Sequence, residues 1–331
     1  MTLDAAVAAV RLAVRRTLAA EPDGVLEPGT NVVVACSGGA DSLALLAATL
    51  FEARRPGLRV VGCVVDHGLQ DGSAEHTARV VARMAAVGAD ETVSSRVVVE
   101  GAGRGVEAAA REARYAVLEQ VATAFQAPVV LLGHTLDDQA ETVLLGLTRG
   151  AGGRSIAGMR SGFGPFRRPL LDVRRAQTEA ACAAEDLEPW HDPHNADPRF
   201  TRSRVRHTVL PLLETELGPG VAETLARTAA LLRPDMEALD DAADLAFLEA
   251  RVDDGLSVPA LTGSAPAIRS RVLRLAALAA GSPSAELFHV HVTALEAVVR
   301  PGARGQVQLP GRVTAERDGD RLRFRPTAVE S

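Results

Sequence analysis

NVVVACSGGADSLALL, residues 31–46, runs an apolar, β-branched segment into Ser37-Gly38-Gly39 and out into helix-period residues from Ala40. A strand, turn and helix in that order aim backbone N–H groups and the positive end of a helix at an anion, as nucleotide-binding folds do for phosphate. Neither common glycine fingerprint is present: a Walker loop needs a longer turn ending in Gly-Lys-Ser/Thr, and a dinucleotide loop needs GxGxxG. Two consecutive glycines still let amides close on an oxyanion, and the hydroxyls of Ser37 and Ser42 add donors. Asp41 is repelled by a polyphosphate unless a divalent cation separates them. The loop therefore points to Mg²⁺ and to chemistry at the phosphate chain.

The alternation continues. Apolar runs at 31–36, 59–65, 93–99 and 128–132 are separated by helix-period segments at 42–53, 74–87, 107–125 and 138–147. Strands alternating with helices predict βαβ units, an α/β fold with a mostly parallel sheet, and ligands bound just beyond the carboxyl ends of the strands. The first strand ends in Ser37-Gly38-Gly39, the second in Asp66-His67-Gly68, and the fourth in Gly133-His134, followed by Asp137, Asp138 and Glu141. Polar residues at three strand ends predict one shared site. Arg111 and Arg114, three apart on one predicted helix, suit a common phosphate or carboxylate target.

A chain of 331 residues allows about two domains. The α/β domain is expected at 1–217 and a smaller, mostly helical α+β domain at 218–331, divided at Leu217-Gly218-Pro219-Gly220. Within the first, 149–169 reads as a long Gly- and Arg-rich loop, followed by helices at 174–186 and about 202–216, with an irregular turn from Trp190 to Asn195 between them. The second carries helices near 221–251, 264–279 and 285–298 and short strands at 304–309, 312–317 and 321–325.

Residues 1–20 read as an amphipathic helix, with Val7, Val10, Val14 and Leu18 on one side and Asp4, Arg11, Arg15 and Arg16 breaking any export-type segment. No apolar run approaches the ~20 residues that span a bilayer, so no membrane partner is expected. Cys36, Cys63 and Cys182 form no CxxC pair and read as buried thiols in a reducing cytoplasm. All 36 basic residues are arginine and the net charge is −6, yet residues 149–175 hold seven Arg against one acid while 220–255 hold nine acids against three Arg. A local basic face on an acidic protein suits a nucleic-acid partner.

SGGADS after an apolar strand resembles the PP-loop of N-type ATP pyrophosphatases, which cleave ATP between its α and β phosphates and adenylate an oxygen of their substrate. Asp66-His67-Gly68-Leu69, Ala110 through Tyr115, Gly133 through Thr142, Arg149-Gly150 through Gly158-Met159, Arg168-Pro169-Leu170-Leu171 and the tract Trp190–Arg206 follow in the order of the tRNA(Ile)-lysidine synthetases. Residues about 30–215 carry this resemblance strongly, and the smaller domain weakly. Thr135 stands where many members have a second histidine.

The resemblance implies ATP, Mg²⁺, L-lysine and a CAU-anticodon tRNA(Ile) as ligands. ATP would adenylate the C2 oxygen of the first anticodon cytidine, and the lysine ε-amine would then displace AMP to give lysidine. It implies that Ser37, Gly38, Gly39, Ala40, Asp41 and Ser42 hold the nucleotide with Asp66, His67, Gly133 and His134. Asp41 and Asp138 would face the metal. Asp41, Arg111, Arg114, His134, Asp137, Asp138 and Glu141 would carry the catalysis. The three acids of the Asp137–Glu141 turn could bind Mg²⁺, orient the lysine ammonium or take its proton, since an amine of pKa ~10.4 must lose one to attack. Acids there also serve as ordinary helix caps.

Arg149, Arg154, Arg160, Arg168, Arg202, Arg204 and Arg206 read as RNA-backbone contacts, although the last three cannot share one helix face. Phe163, Phe166, Trp190 and Phe200 are the available stacking platforms for bases, with core packing as the alternative. The sequence leaves a homodimer open. Two rival readings are a PP-loop tRNA thiolase, which needs cysteine pairs absent here, and a non-catalytic adenine-nucleotide sensor, which leaves the carboxylates without a purpose.

Overall fold

The computed structural model describes residues 3–22, 24–66, 68, 72–97, 106–150, 152–190 and 197–327, apart from the side chains of 106–109. Contacts group the chain into two compact units, residues 1–145 with 158–228, and residues 146–157 with 229–331.

The first unit begins with α1 (Ala5–Ala19), whose N-terminal amides are capped by the Asp4 carboxylate and whose Val7, Val10 and Val14 are buried. There follow β1 (Asn31–Ala35), α2 (Ala40–Ala53), β2 (Arg59–Asp66), α3 (Ser73–Val87), β3 (Glu91–Arg96), α4 (Val106–Ala124), β4 (Val129–Leu132) and α5 (Leu136–Arg149). The end of α5 and a short α6 (Gly153–Ile156) group with the second unit, and the first resumes with β5 (Gly162–Phe163), β6 (Phe166–Arg167), a 3₁₀ turn at Pro169–Asp172, α7 (Arg175–Ala184), α8 (Thr201–Arg204), a π-helical turn at Val205–Val209 and α9 (Leu210–Leu217).

Continuous Val runs make β1, β2 and β4 central strands because a parallel sheet is covered on both faces. Val32 and Val34 pack into the core formed with α1 and α2, while Val33, with Val61 and Val130, packs against Leu118 of α4. The sheet order is β3-β2-β1-β4-β6-β5. β1 lies between β2 and β4, parallel to both. The winding of the sheet thus reverses at β1. Such a switch opens a crevice outside the carboxyl ends of the two strands that flank it, here β1 and β4.

Three local expectations shift. β3 occupies Glu91–Arg96 rather than 93–99, because its ladder with β2 runs from Val61↔Glu91 to Asp66↔Arg96; residues 98 and 99 lie outside the described residues. The expected loop at 149–169 contains α6 and the β5–β6 hairpin, and β6 adds to β4 in parallel. Two-residue strands are too short to show a readable alternation. The expected 202–216 helix is one helical stretch with a π turn inside it.

The chain then runs through α10 (Val221–Ala250), which belongs to the second unit from Ala229 on, to β7 (Arg251–Val252), β8 (Gly255–Ser257), α11 (Val258–Gly263), α12 (Pro266–Ala279), α13 (His289–Val299), β9 (Gly305–Leu309), β10 (Val313–Asp318) and β11 (Arg321–Pro326). The sheet of this unit is antiparallel in the order β7-β8-β11-β10-β9. Leu256, Leu273, Leu295 and Leu322 are at the centre of its core. Asp318 pairs with Arg321, and Gly319 at φ +59° supplies the positive φ that a two-residue hairpin loop requires.

Candidate active site at the sheet switch point

The loop between β1 and α2 is built around one obligatory glycine. Gly38 has φ +86°, and a Cβ there would lie 2.7 Å from Val80 Cγ2. The buried Ser42 Oγ accepts from the Ser37 N–H at 3.2 Å and donates to the Gly39 carbonyl at 2.9 Å. Its proton pins the loop, so the hydroxyl left exposed at the surface is that of Ser37. Gly133, at the end of β4, brings its backbone against the first turn of α2. A Cβ on it would sit 3.1 Å from the Asp41 carbonyl oxygen and 3.2 Å from Ser42 Cα. That close approach sets the start of α5 beside the loop.

Thr135 is fully buried, and both its N–H (2.9 Å) and its hydroxyl (3.0 Å) donate to Asp138 Oδ2. Where many relatives of the expected family carry an imidazole, this chain places a hydroxyl that anchors Asp138. Asp138 Oδ1 receives Arg175 at 3.0 Å, Arg206 at 3.1 Å and Arg202 at 3.4 Å. One turn on, the fully buried Glu141 receives Arg206 Nε at 2.6 Å and Arg202 Nε at 2.8 Å, with Arg175 at 3.5 Å. Asp41 Oδ1 accepts from the Thr178 hydroxyl, and its Oδ2 lies 3.4 Å from Arg175 Nε. Asp137 accepts from the Arg175 backbone N–H at 2.7 Å, capping α7 from α5.

Three carboxylates (Asp41, Asp138, Glu141) thus face three guanidiniums (Arg175, Arg202, Arg206). Burial pushes the Asp138 carboxyl up, but Arg175, Arg202, the Thr135 N–H and Arg206 together hold it at about 2. Asp41 goes the other way: burial outweighs Arg175 and Thr178 and lifts it to about 6. Burial works against the Arg175 charge, yet Asp138, Asp41 and Glu141 more than offset it and raise its pKa.

A second cluster carries unbalanced positive charge. Arg168, buried, donates to the Tyr115 hydroxyl at 3.0 Å, to the Arg160 carbonyl at 2.6 Å and to His134 Nδ1 at 3.3 Å. Arg111 reaches the same phenol at 3.1 Å, and the Arg114 guanidinium carbon lies 5.7 Å from its ring centroid. The buried Arg114 Nε has no hydrogen-bond partner. Burial would raise the Tyr115 pKa, but Arg111, Arg168 and Arg114 lower it. Burial brings His134 down to about 3, with Arg114, Arg168 and Arg111 adding to it against Asp138. At neutral pH His134 is therefore a neutral imidazole with Nδ1 accepting from Arg168, which leaves the proton on Nε2. It can present an N–H but cannot serve as an imidazolium acid.

Asp66, buried at the end of β2, accepts from the Gly68 N–H at 2.8 Å and so shapes its own turn. His67 lies outside the described residues, as do residues 191–196 of the expected turn. The expected RNA-binding arginines separate into groups. Arg202 and Arg206, four apart, turn to the carboxylates, whereas Arg204 donates to the carbonyls of Pro198 and Arg199. In the second unit Arg154 pairs with Asp240 at 2.5 Å. Arg168 serves the Tyr115 cluster, and Arg149 and Arg160 are exposed. The buried acids, needing counter-charges, take side chains that the linear pattern assigns to solvent. Phe166 is buried core, while Phe163 and Phe200 are exposed and Trp190 is half-buried.

Arg175 and Thr178 were not singled out by the linear pattern. A signal existed: an arginine in the first turn of a helix opposes the helix dipole unless carboxylates face it. The same two residues bear on the metal. Mg²⁺ takes oxygen ligands in near-octahedral geometry, but both Asp138 oxygens are committed to donors, and Asp41 is shared by Thr178 and Arg175. Among the described residues no group of three or more His, Cys, Asp or Glu is arranged to hold a metal. As arranged, these carboxylates fit guanidiniums rather than a Mg²⁺ shell. The three cysteines are buried and free. Burial raises all three thiols, Cys63 and Cys182 to about 12, so none is a ready thiolate.

Known proteins resemble this chain over most of its length. Residues 12–213 match a family described as PP-loop domain, and residues 256–323 one described as TilS substrate binding domain. The tRNA(Ile)-lysidine synthase of Thermobifida fusca is 54% identical over 308 residues, covering 92% of this chain and 93% of that protein. Those of Streptomyces coelicolor and Salinispora tropica are 49% and 51% identical, over 97% and 96% of this chain and 98% and 95% of theirs. Among solved structures, the U34-tRNA thiolase NcsA of Methanococcus maripaludis, determined with its [4Fe-4S] cluster, aligns with a TM-score of 0.56 at 17% identity, over 69% of this chain and 80% of that one. That likeness is one of fold.

Proposed function

The chain belongs to the tRNA(Ile)-lysidine synthase family, and from this premise we propose how its residues divide the reaction. It is a PP-loop ligase that uses ATP to form lysidine on tRNA(Ile), and the thiolase reading is not favoured. In the first step the C2 oxygen of the CAU-anticodon wobble cytidine attacks the α-phosphorus, the α–β phosphoanhydride bond breaks and pyrophosphate leaves. In the second, the ε-amine of L-lysine, having lost its ammonium proton, attacks C2, and AMP departs with the oxygen. Activation comes first because a carbonyl oxygen leaves only once it is part of a phosphate ester.

The Gly38 and Gly39 amides and the Ser37 hydroxyl hold the departing pyrophosphate. Arg111, Arg114 and Arg168 neutralise a second phosphate, that of AMP or of the RNA backbone, and Arg114 Nε has a free buried donor for it. Neutral His134 offers its Nε2–H. Asp138 and Glu141 receive the lysine ammonium in place of one of their guanidiniums. Mg²⁺ would come bound to the ATP phosphates and supply charge neutralisation there, while Asp41 stays with Thr178 and Arg175. Residues 1–217 carry the catalysis and 218–331 select the tRNA, in a cytoplasmic enzyme. No described helix is long and apolar enough to cross a membrane.

The observation that carries this reading is the contact of Gly133 with the first turn of α2, which sets an anion loop beside three carboxylates. The test incubates the protein with unmodified CAU-anticodon tRNA(Ile) transcript, ATP, Mg²⁺ and lysine, then digests the RNA for mass spectrometry. The expected product is one cytidine gaining lysine less water, with one pyrophosphate released per modification. Pyrophosphate release without nucleoside modification would refute it.

A further inference from the structure

We propose that His76 and Trp190 clamp the anion loop from outside, and that His76 is a positioning residue for ATP cleavage. The proposal rests on the lysidine synthase reading and deepens it at one site. His76, on α3, brings Nε2 to 3.1 Å from the Ser37 carbonyl oxygen; a carbonyl only accepts, so Nε2 carries the proton. Trp190, beyond the end of α7, donates its backbone N–H to the next carbonyl, that of Gly38, at 2.9 Å. The two rings stack with centroids 3.7 Å apart and planes tilted by 33°. Two residues far apart in sequence thus support one another over the loop through their rings, His76 holding one peptide plane through its side chain and Trp190 the next through its backbone N–H.

The consequence follows from peptide geometry. In a planar trans peptide the C=O and N–H point in opposite directions, and no cis bond occurs among the described residues. Tethering the Ser37 and Gly38 carbonyls on one side directs the Gly38 and Gly39 N–H groups to the other. The Gly38 N–H faces the sulfur of the buried Cys36, only a weak acceptor. Glycine has an unusually broad backbone repertoire, so two consecutive glycines need external restraint to present their amides together. Orienting them before ATP arrives lowers the ordering cost of binding its phosphates. His76 does this without touching the nucleotide.

The test compares the full-length protein with His76→Ala and His76→Gln in the tRNA assay, measuring KM for ATP and inhibition constants for pyrophosphate and adenosine. Loss of one hydrogen bond to the loop should raise the pyrophosphate constant and the ATP KM about three- to tenfold in His76→Ala. Adenosine inhibition and the lysine KM should stay within about twofold, since neither involves the loop amides. His76→Gln keeps an N–H of similar reach and should recover most of the loss. Equal weakening of adenosine and pyrophosphate, or an unchanged pyrophosphate constant, would overturn the clamp while leaving the family reading intact. A wild-type protein that neither binds nor releases pyrophosphate would overturn both. Because the Trp190 ring lies against His76, far-UV circular dichroism rather than tryptophan emission shows whether each variant is folded.

Discussion

Asp41→Asn should make the protein more stable at neutral pH. Asp41 opens α2 with its side chain only 23% exposed, and burial lifts its pKa from 3.8 to about 6. Ionisation therefore disfavours the folded chain relative to the unfolded one. The cost is absent below the unfolded-chain pKa, grows as pH rises toward 6 and is complete above it, reaching about 3 kcal/mol at pH 7. Asparagine removes that charge and keeps an oxygen for the Thr178 hydroxyl, but its amide is a poor neighbour for Arg175. We therefore expect a net gain of about 1–3 kcal/mol at pH 7. At pH 5 the wild-type carboxyl is mostly protonated when folded, and about half of the difference should vanish. Urea unfolding followed by Trp190 emission reports the first unit alone, since no other tryptophan exists. An Asp41→Asn chain that is less stable at pH 7, or whose advantage is the same at both pH values, would show that pairing with Arg175 outweighs burial.

Other consequences can be checked in the same way. Arg175→Met leaves the buried Asp138 and Glu141 and the half-buried Asp41 facing two guanidiniums and should cost about 3–5 kcal/mol in urea unfolding; a loss below about 1 kcal/mol would mean water replaces the guanidinium without penalty. His134, brought down to about 3, should show no imidazole titration by NMR between pH 5 and 8. The stability from keeping it neutral is present above about pH 6.5 and declines as pH falls below that toward 3. Gly133→Ala forces a methyl group to 3.1 Å from the Asp41 carbonyl oxygen. With only backbone to yield, it should cost about 1–3 kcal/mol and raise the ATP KM; wild-type values for both would contradict the close approach of β4 and α2.

Much of the fold is legible in the linear pattern because its causes are local. Val runs fully buried on both faces announce a parallel sheet, and Ser37-Gly38-Gly39 announces a turn that only glycine completes. Polar residues at three strand ends could be read as one site because the rule for parallel sheets is general. The short β6 could not be seen, since two residues carry no period and Phe166 gains its place only by lying beside Val130.

The partner of each charge was not written in the sequence. Arg202 and Arg206 read as solvent-facing basic residues, yet they close on Glu141, 61 and 65 residues away. Arg175 centres a cluster that spacing along the chain does not reveal. Residue types and local order determine which elements form and which side chains are chemically competent. A buried carboxylate, however, is satisfied by whichever cation the packing brings within reach, and its pKa follows from that neighbour and from lost water. Asp41 and Asp138 are the same residue type beside the same strand ends, and only tertiary structure separates them, one at about 6 and the other at about 2.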